Sequence, residues 1–212
     1  MRLYFARHGQ SEANTRHIIS NRESPLGLTS LGKEQAKALA ENLRAVPISA
    51  IFSSPIFRAR ETADILSAAF SKPYQVTEAL REYDCGILED QSDEESWRLH
   101  RQYFEDWTLR QNYLSKPEGG ECFEDIRSRF VPFIEDLTRE NSNRDAHVLL
   151  IGHGGLFLLM LPLILNNIDH SFAIAQGLHN AEYVVAEKKE NELVCLQWGQ
   201  MILNPTKGGT SK

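Results

Sequence analysis

Two histidines in this 212-residue chain stand against glycine at the ends of apolar runs. His8 lies in Arg7-His8-Gly9, which closes the run Leu3–Ala6. His153 lies in Gly152-His153-Gly154-Gly155, which closes His147–Ile151. Arg58 comes just after a third short run, Ser49–Ser53, and Glu82 just after a fourth at Pro73–Thr77. An imidazole titrates near neutrality and can act as base, acid or nucleophile. A guanidinium offers a forked set of donors suited to phosphate or carboxylate. Glycine lets a ligand approach the backbone and frees N–H groups to face an anion. Two Arg, two His and one carboxylate are the set that phosphoryl transfer through a histidine requires. A neutral imidazole attacks phosphorus in line, Arg and His donors spread the charge on the non-bridging oxygens, and a carboxylic acid protonates the leaving oxygen. Singly, each piece has a plainer reading: a strand end with a solvated Arg and a structural His, or an Arg58 paired at the surface with Glu12 or Glu61.

Chemistry follows only if the chain gathers these residues, and the surrounding pattern predicts how. Each apolar run reads as a buried strand, and open α/β sheets place ligands in the crevice at the carboxyl ends of their strands. Residues 15–28 are rich in turn formers and read as a loop. Thr29 caps a helix to about Leu43, with Leu31, Ala36, Leu39, Ala40 and Leu43 on one face. Ser54-Pro55 reads as the cap and first residue of the next helix, carried by Ile56, Ala59, Ala63, Leu66 and Phe70. That places Arg58 in a first helical turn, where free N–H groups and the helix dipole favour an anion.

Residues Glu95 to Leu114 read as a helical insertion near the site, with Trp97, Tyr103, Phe104, Trp107 and Tyr113 either packed or forming a lid. Pro117–Glu121 then breaks the chain before a helix on Phe123, Ile126, Phe130, Phe133 and Leu137, with a kink expected at Pro132. Leu156–Leu165 is an all-apolar helix with Pro162 expected to bend it. Two late strands, about Ala181–Glu187 and Leu193–Met201, form a hairpin. The fold class is therefore α/β, with one domain over 1–203 and a polar tail at 204–212 expected to be disordered.

Hydrophobic content of 42% and charged content of 25% are those of a soluble globular protein. A net charge of −6 argues against a general nucleic-acid binder, so any phosphate specificity must be local. Cys85, Cys122 and Cys195 are odd in number and far apart, which suits reduced thiols in the cytoplasm better than disulfides or zinc. No metal-ligand spacing and no Walker loop accompany the site residues. The N-terminal apolar stretch is too short for a signal peptide, and Leu156–Leu165 is half the ~20 residues of a membrane span, so neither export nor a membrane is expected.

Six pieces in order resemble the histidine phosphatase superfamily, the phosphoglycerate-mutase-like proteins. They are Arg7-His8-Gly9-Gln-Ser-Glu-Ala-Asn14, Leu28 to Ala36, Ser53-Ser-Pro55-Ile-Phe-Arg58-Ala-Arg-Glu-Thr62, Leu80-Arg-Glu82-Tyr-Asp-Cys-Gly86, Gly119-Gly-Glu121 and Gly152-His153-Gly154-Gly155. The resemblance spans residues 1 to about 203. It implies a three-layer α/β/α sandwich on a mostly parallel sheet and a mechanism without metal or other cofactor. It also implies that His8 is the phosphorylated nucleophile, that Arg7, Arg58, His153 and Asn14 hold the phosphoryl group, and that Glu82 is proton donor and later base.

Two departures stand out. Relatives often carry Glu-Gly where this chain has Glu89-Asp90. Mutases of the family carry a Glu-Arg-His-Tyr-type segment and basic residues that grip phosphoglycerate, whereas Glu82 here is followed by Tyr-Asp-Cys-Gly. Eight acidic residues lie between 78 and 95 against Arg81 alone, and an acidic mouth disfavours a second anionic group. The expectation is therefore an acid-type phosphomonoesterase acting on a small phosphorylated metabolite. The rivals are a phosphoglycerate mutase or bisphosphatase and a non-catalytic phosphate-binding scaffold.

Overall fold

The computed structural model describes residues 1–22, 24–140, 145–190 and 192–203. The polar tail expected to be disordered, 204–212, lies outside them. The strands are β1 (Arg2–Arg7), β2 (Ile48–Ser53), β3 (Tyr74–Val76), β4 (His147–Gly152), β5 (Tyr183–Lys189), β6 (Glu192–Trp198) and β7 (Met201–Ile202). The helices are α1 (Glu12–Thr15), α2 (Ser30–Asn42), α3 (Phe57–Phe70), α4 (Glu94–Thr108), α5 (Phe123–Glu140), α6 (Gly154–Ile164) and α7 (His170–Gln176). The strands form one sheet in the order β3-β2-β4-β1-β5-β6-β7. β3, β2, β4 and β1 run parallel, and the expected hairpin β5–β6 continues the sheet antiparallel from β1.

Alternation along the strands builds the three layers, since successive side chains point to opposite faces. Leu3 and Phe5 of β1 join Val148 and Leu150 of β4 under Ile126 and Phe130 of α5 and Leu156 and Leu159 of α6. Tyr4, Ala6, Leu149 and Ile151 face the other way, against Leu39 of α2 and Ala59, Ala63 and Leu66 of α3. β4 is buried at every residue, as a strand covered on both faces must be, and hence reads as an unbroken apolar run.

Parallel register is what gathers the site. Arg7 lies opposite Gly152 across β1–β4, and Ser53 opposite Ile151 across β2–β4. The ladder runs on for one more step, with His8 N–H donating to Gly152 O at 3.1 Å and Ser54 N–H to Ile151 O at 2.9 Å. His8, Ser54 and His153 therefore leave three neighbouring strands at one level.

Several boundaries differ from expectation. The helix read from Ser54-Pro55 begins at Phe57, because Ser54 Oγ accepts from Ile56 N–H at 3.2 Å and makes a turn instead of a cap. The helical insertion stops at Thr108, short of Leu114, where Asn112 N–H turns back to Asp106 O and Gln111 takes a positive φ of 55°. α5 runs through Pro132 as one helix. β5 starts two residues late because Ala181 has φ 58°. The short helices α1 and α7 were not foreseen; Ser11 and Asp169 cap them. Among the described residues no helix is long and apolar enough to cross a membrane.

The segment after His8 is pinned by a glycine pair. Thr29 N–H donates to Gln10 O at 2.9 Å, and a Cβ on Gly32 would stand 1.9 Å from that same carbonyl oxygen. Gly32→Ala must push α2 off the Gly9-Gln10 backbone. It should cost about 1–3 kcal/mol in urea unfolding. An unchanged midpoint would show that α2 can withdraw freely.

Candidate active site

Arg58 is the hub. The residue is 5% exposed, yet every direct partner of its guanidinium is neutral. Nε–H donates to His8 Nε2 at 3.0 Å, and Nη1 to Ser20 O at 2.5 Å. Nη2 reaches His153 Nδ1 at 3.2 Å and Asn21 Oδ1 at 3.4 Å. The alternative of a surface pair with Glu12 or Glu61 does not hold: Glu61 accepts from Leu28 N–H and pairs with Lys33.

The partners set the histidine tautomers. A carbonyl only accepts, so the 2.6 Å contact of His8 Nδ1 with Gly9 O puts the ring proton on Nδ1. The Nε2 lone pair is then free and aimed at the Arg58 N–H. His153 Nδ1 accepts from Arg58, so its Nε2–H donates to Ser54 Oγ at 2.7 Å. Burial, with Arg58 second, holds both imidazoles well below the usual histidine range and hence neutral.

Arg7 approaches from the other side. Its Nη1 donates to Leu178 O at 2.6 Å, and its Nε is buried without a hydrogen-bond partner among the described residues. It lies over the start of α6, close enough that a Cβ on Gly154 would stand 3.2 Å from Nε. Among the described residues, two guanidinium groups and a helix N-terminus thus converge without a carboxylate in contact, which is an anion site in electrostatic terms.

Glu82 is also buried. Its Oε2 accepts from Gly155 N–H at 2.9 Å and its Oε1 from Tyr83 N–H at 3.2 Å. Burial raises its pKa above the carboxylate norm, while Arg58 and these N–H groups resist. Neighbouring carboxylates are not among the causes, although seven other acids lie between 78 and 95. Asn14 Oδ1 accepts from Ser11 N–H and from Asn180 Nδ2, each within 3.2 Å, which leaves its own amide N–H groups as the donors it can offer.

Arg7, His8, Asn14, Arg58 and Glu82 all line one cavity of about 440 Å³. His153 does not reach its wall; it sits fully buried behind Arg58. Sequence reading missed Ser20, Asn21 and Leu178, which act mainly through loop backbone, and Ser54, whose hydroxyl was assigned to a helix cap. The acidic mouth is a correction. Asp84 is tied to Arg22 and to Gly86 N–H, Glu78 pairs with Arg81, and of the eight acids only Glu82 lines the cavity.

The altered Glu89-Asp90 segment is accommodated simply. Asp90 takes φ 63°, the left-handed conformation a glycine would adopt and one that Asp tolerates. Glu89 then accepts from Asn21 N–H at 2.7 Å and Cys85 N–H at 2.8 Å, tying the loop that holds Arg58 to the one that carries Glu82.

A model of the histidine phosphatase superfamily, branch 1, matches residues 3–201. The chain belongs to that family. A putative phosphoserine phosphatase 2 of Hydrogenobacter thermophilus is 33% identical over 164 residues, covering 77% of this chain and 78% of that one. The 6-phosphofructo-2-kinase/fructose-2,6-bisphosphatase 1 of Mus musculus is 33% identical over 168 residues, again 77% of this chain. The chain matches only 32% of that longer relative's length. A mycobacterial glucosyl-3-phosphoglycerate phosphatase, solved with VO3, superposes with a TM-score of 0.79 at 25% identity, covering 93% of this chain and 98% of that one. That solved structure thus shares the fold described here.

Arg58→Lys keeps the charge of this member of the family but cannot bridge both imidazoles and the Ser20 carbonyl. It should lower phosphatase turnover by about 10²–10³-fold, the usual cost of one preorganised donor. An unchanged rate in steady-state assays would reduce Arg58 to a source of long-range charge.

Proposed function

We propose that the chain is a metal-independent, acid-type phosphomonoesterase that hydrolyses a small phosphorylated metabolite through a phosphohistidine on His8. The observation that carries the reading is the buried Arg58 guanidinium, bonded only to neutral acceptors and holding the free lone pair of His8 Nε2. A substrate phosphoryl group supplies the missing anion. Its oxygens take the Arg58, Arg7 and Asn14 donors, so their charge is balanced by protein groups alone, and Arg58 is drawn off Nε2. The lone pair then forms the N–P bond while the P–O bond to the leaving group breaks, and Glu82 gives that oxygen its proton.

The second half reverses the proton. Glu82, now a carboxylate, takes a proton from water; the oxygen attacks phosphorus, the N–P bond breaks, and phosphate leaves with His8 neutral again. His153 stays behind Arg58 and fixes its fork through Nδ1. The net charge of −6 and the free, buried cysteines support the reading of a cytoplasmic enzyme without nucleic-acid partners.

The two shifts favour acid conditions. A depressed His8 pKa keeps the nucleophile neutral below pH ~6.5, and a raised Glu82 pKa keeps the acid protonated above pH ~4.3. The acid limb of kcat/KM should therefore lie below the ordinary histidine range and the alkaline limb should belong to Glu82. His8→Ala should abolish acid-quench trapping of phosphoprotein and cut p-nitrophenyl phosphate hydrolysis by roughly 10³-fold or more, with chelator present throughout. Near-normal turnover by His8→Ala would overturn the reading. Glu82→Gln should slow the phosphorylation of His8 by alkyl phosphates by about 10²–10⁴-fold and by aryl phosphates much less, read as the single-turnover transfer step, because only the alkoxide needs the proton. Equal loss for both in that step would show that Glu82 is not the general acid.

A further inference from the structure

Beside the catalytic groups, the cavity is lined by a stripe of α4. Trp97, His100 and Phe104 recur at helical spacing, each half-buried and each lining the cavity, and Trp107, one turn on, is buried beneath them. Trp107 packs edge-on against Tyr83 with ring centroids 5.2 Å apart, which ties the stripe to the residue next to Glu82. Trp97 Nε1 donates to His17 O at 2.7 Å, and His100 Nε2 meets Tyr83 Oη at 2.9 Å. The Trp97 N–H and one of the two His100 nitrogens are therefore already engaged. Ile18 and Leu158 line the same cavity with aliphatic surface.

Charge distribution points the same way. Arg7 and Arg58 are the only Lys or Arg among the described lining residues, and both converge on His8. His100 is pushed down to about 4 by burial and by Arg101, so it brings no charge near neutral pH. Along the Trp97–Phe104 stripe, Ile18 and Leu158, a carboxylate or second phosphate on the leaving group would meet rings and methyl groups, at the cost of its hydration; the polar lining includes Asn14, Ser20, Asn21 and His179.

The geometry points to an outer subsite for an uncharged leaving alcohol that carries a flat apolar ring, seated between the Trp97–His100–Phe104 stripe and Ile18 and Leu158. It rests on the phosphatase reading above and narrows its substrate to phosphomonoesters of such alcohols. A cavity of about 440 Å³ lies in the range that encloses small ligands, and aromatic walls favour stacked or edge-on rings.

Phenethyl phosphate and ethyl phosphate share a primary alkoxide leaving group, so the comparison reads the subsite and not the chemistry. Phenethyl phosphate should show kcat/KM about tenfold or more above ethyl phosphate, mostly in KM, and should also exceed phosphoserine. Trp97→Ala or Phe104→Ala should bring the phenethyl-to-ethyl ratio towards one. Phe104→Arg should lower that ratio while raising kcat/KM for phosphoserine; it keeps bulk at the site if truncation prevents folding. Equal kcat/KM for the two esters, with p-nitrophenyl phosphate still hydrolysed, overturns the subsite and leaves the phosphatase reading standing. If the folded protein hydrolyses none of the esters, the phosphatase reading fails, and tryptophan quenching by phenethyl phosphate decides the subsite alone. Saturable quenching lost in Phe104→Arg supports it, and no quenching overturns it.

Discussion

A buried guanidinium with no carboxylate in contact is costly by several kcal/mol, and Arg58 is in that position. Neutral acceptors satisfy its hydrogen bonds but leave its charge uncompensated. The nearest acids act on it only through space, with Glu82 the larger influence. The rest of the molecule is arranged around keeping that charge in place: Ser20 and Asn21 hold it from one loop, His153 from the end of β4, and Glu89 anchors the holding loop. The same field acts on its neighbours. It helps keep His8 and His153 unprotonated, and it draws on Glu82 against the stronger effect of burial.

Geometry at this level comes from strand register, and much of it was legible. Leu3–Ala6 and His147–Ile151 are apolar runs ending at a glycine-flanked histidine, and the parallel pairing of β1 with β4 sets those histidines 5.2 Å apart between ring centroids. The Thr29 cap and the periodicity of α2, α3 and α5 could be read for the same reason, burial on one face leaving a repeat in the sequence, except that Leu31 of α2 is exposed instead of joining that face. Arg58 was placed correctly in a first helical turn even though its helix starts at Phe57.

What escaped the sequence is what leaves no side-chain pattern. Ser20 and Leu178 hold the two arginines through carbonyl oxygens, which any residue could supply. Ser54 fits a helix cap and a histidine partner equally well until the strands are paired. The eight acids from 78 to 95 suggested an acidic mouth, yet their directions depend on loop turns such as the positive φ of Asp90. The aromatic load of the α4 segment was open between packing and covering a site. It divides by position, with Trp107 in the core and Trp97 and Phe104 on the cavity wall.

The central claim is that burial and Arg58 keep His8 a neutral imidazole, with its proton on Nδ1 toward Gly9 O and its unprotonated Nε2 facing Arg58. Nitrogen NMR of the histidine rings in the free protein at about pH 6, near the ordinary histidine pKa, tests this directly. The account predicts a protonated Nδ1 and an unprotonated Nε2 for His8, with the ring still neutral where an exposed histidine has taken up its second proton. A His8 imidazolium under those conditions, or a neutral ring with its proton on Nε2, would contradict it.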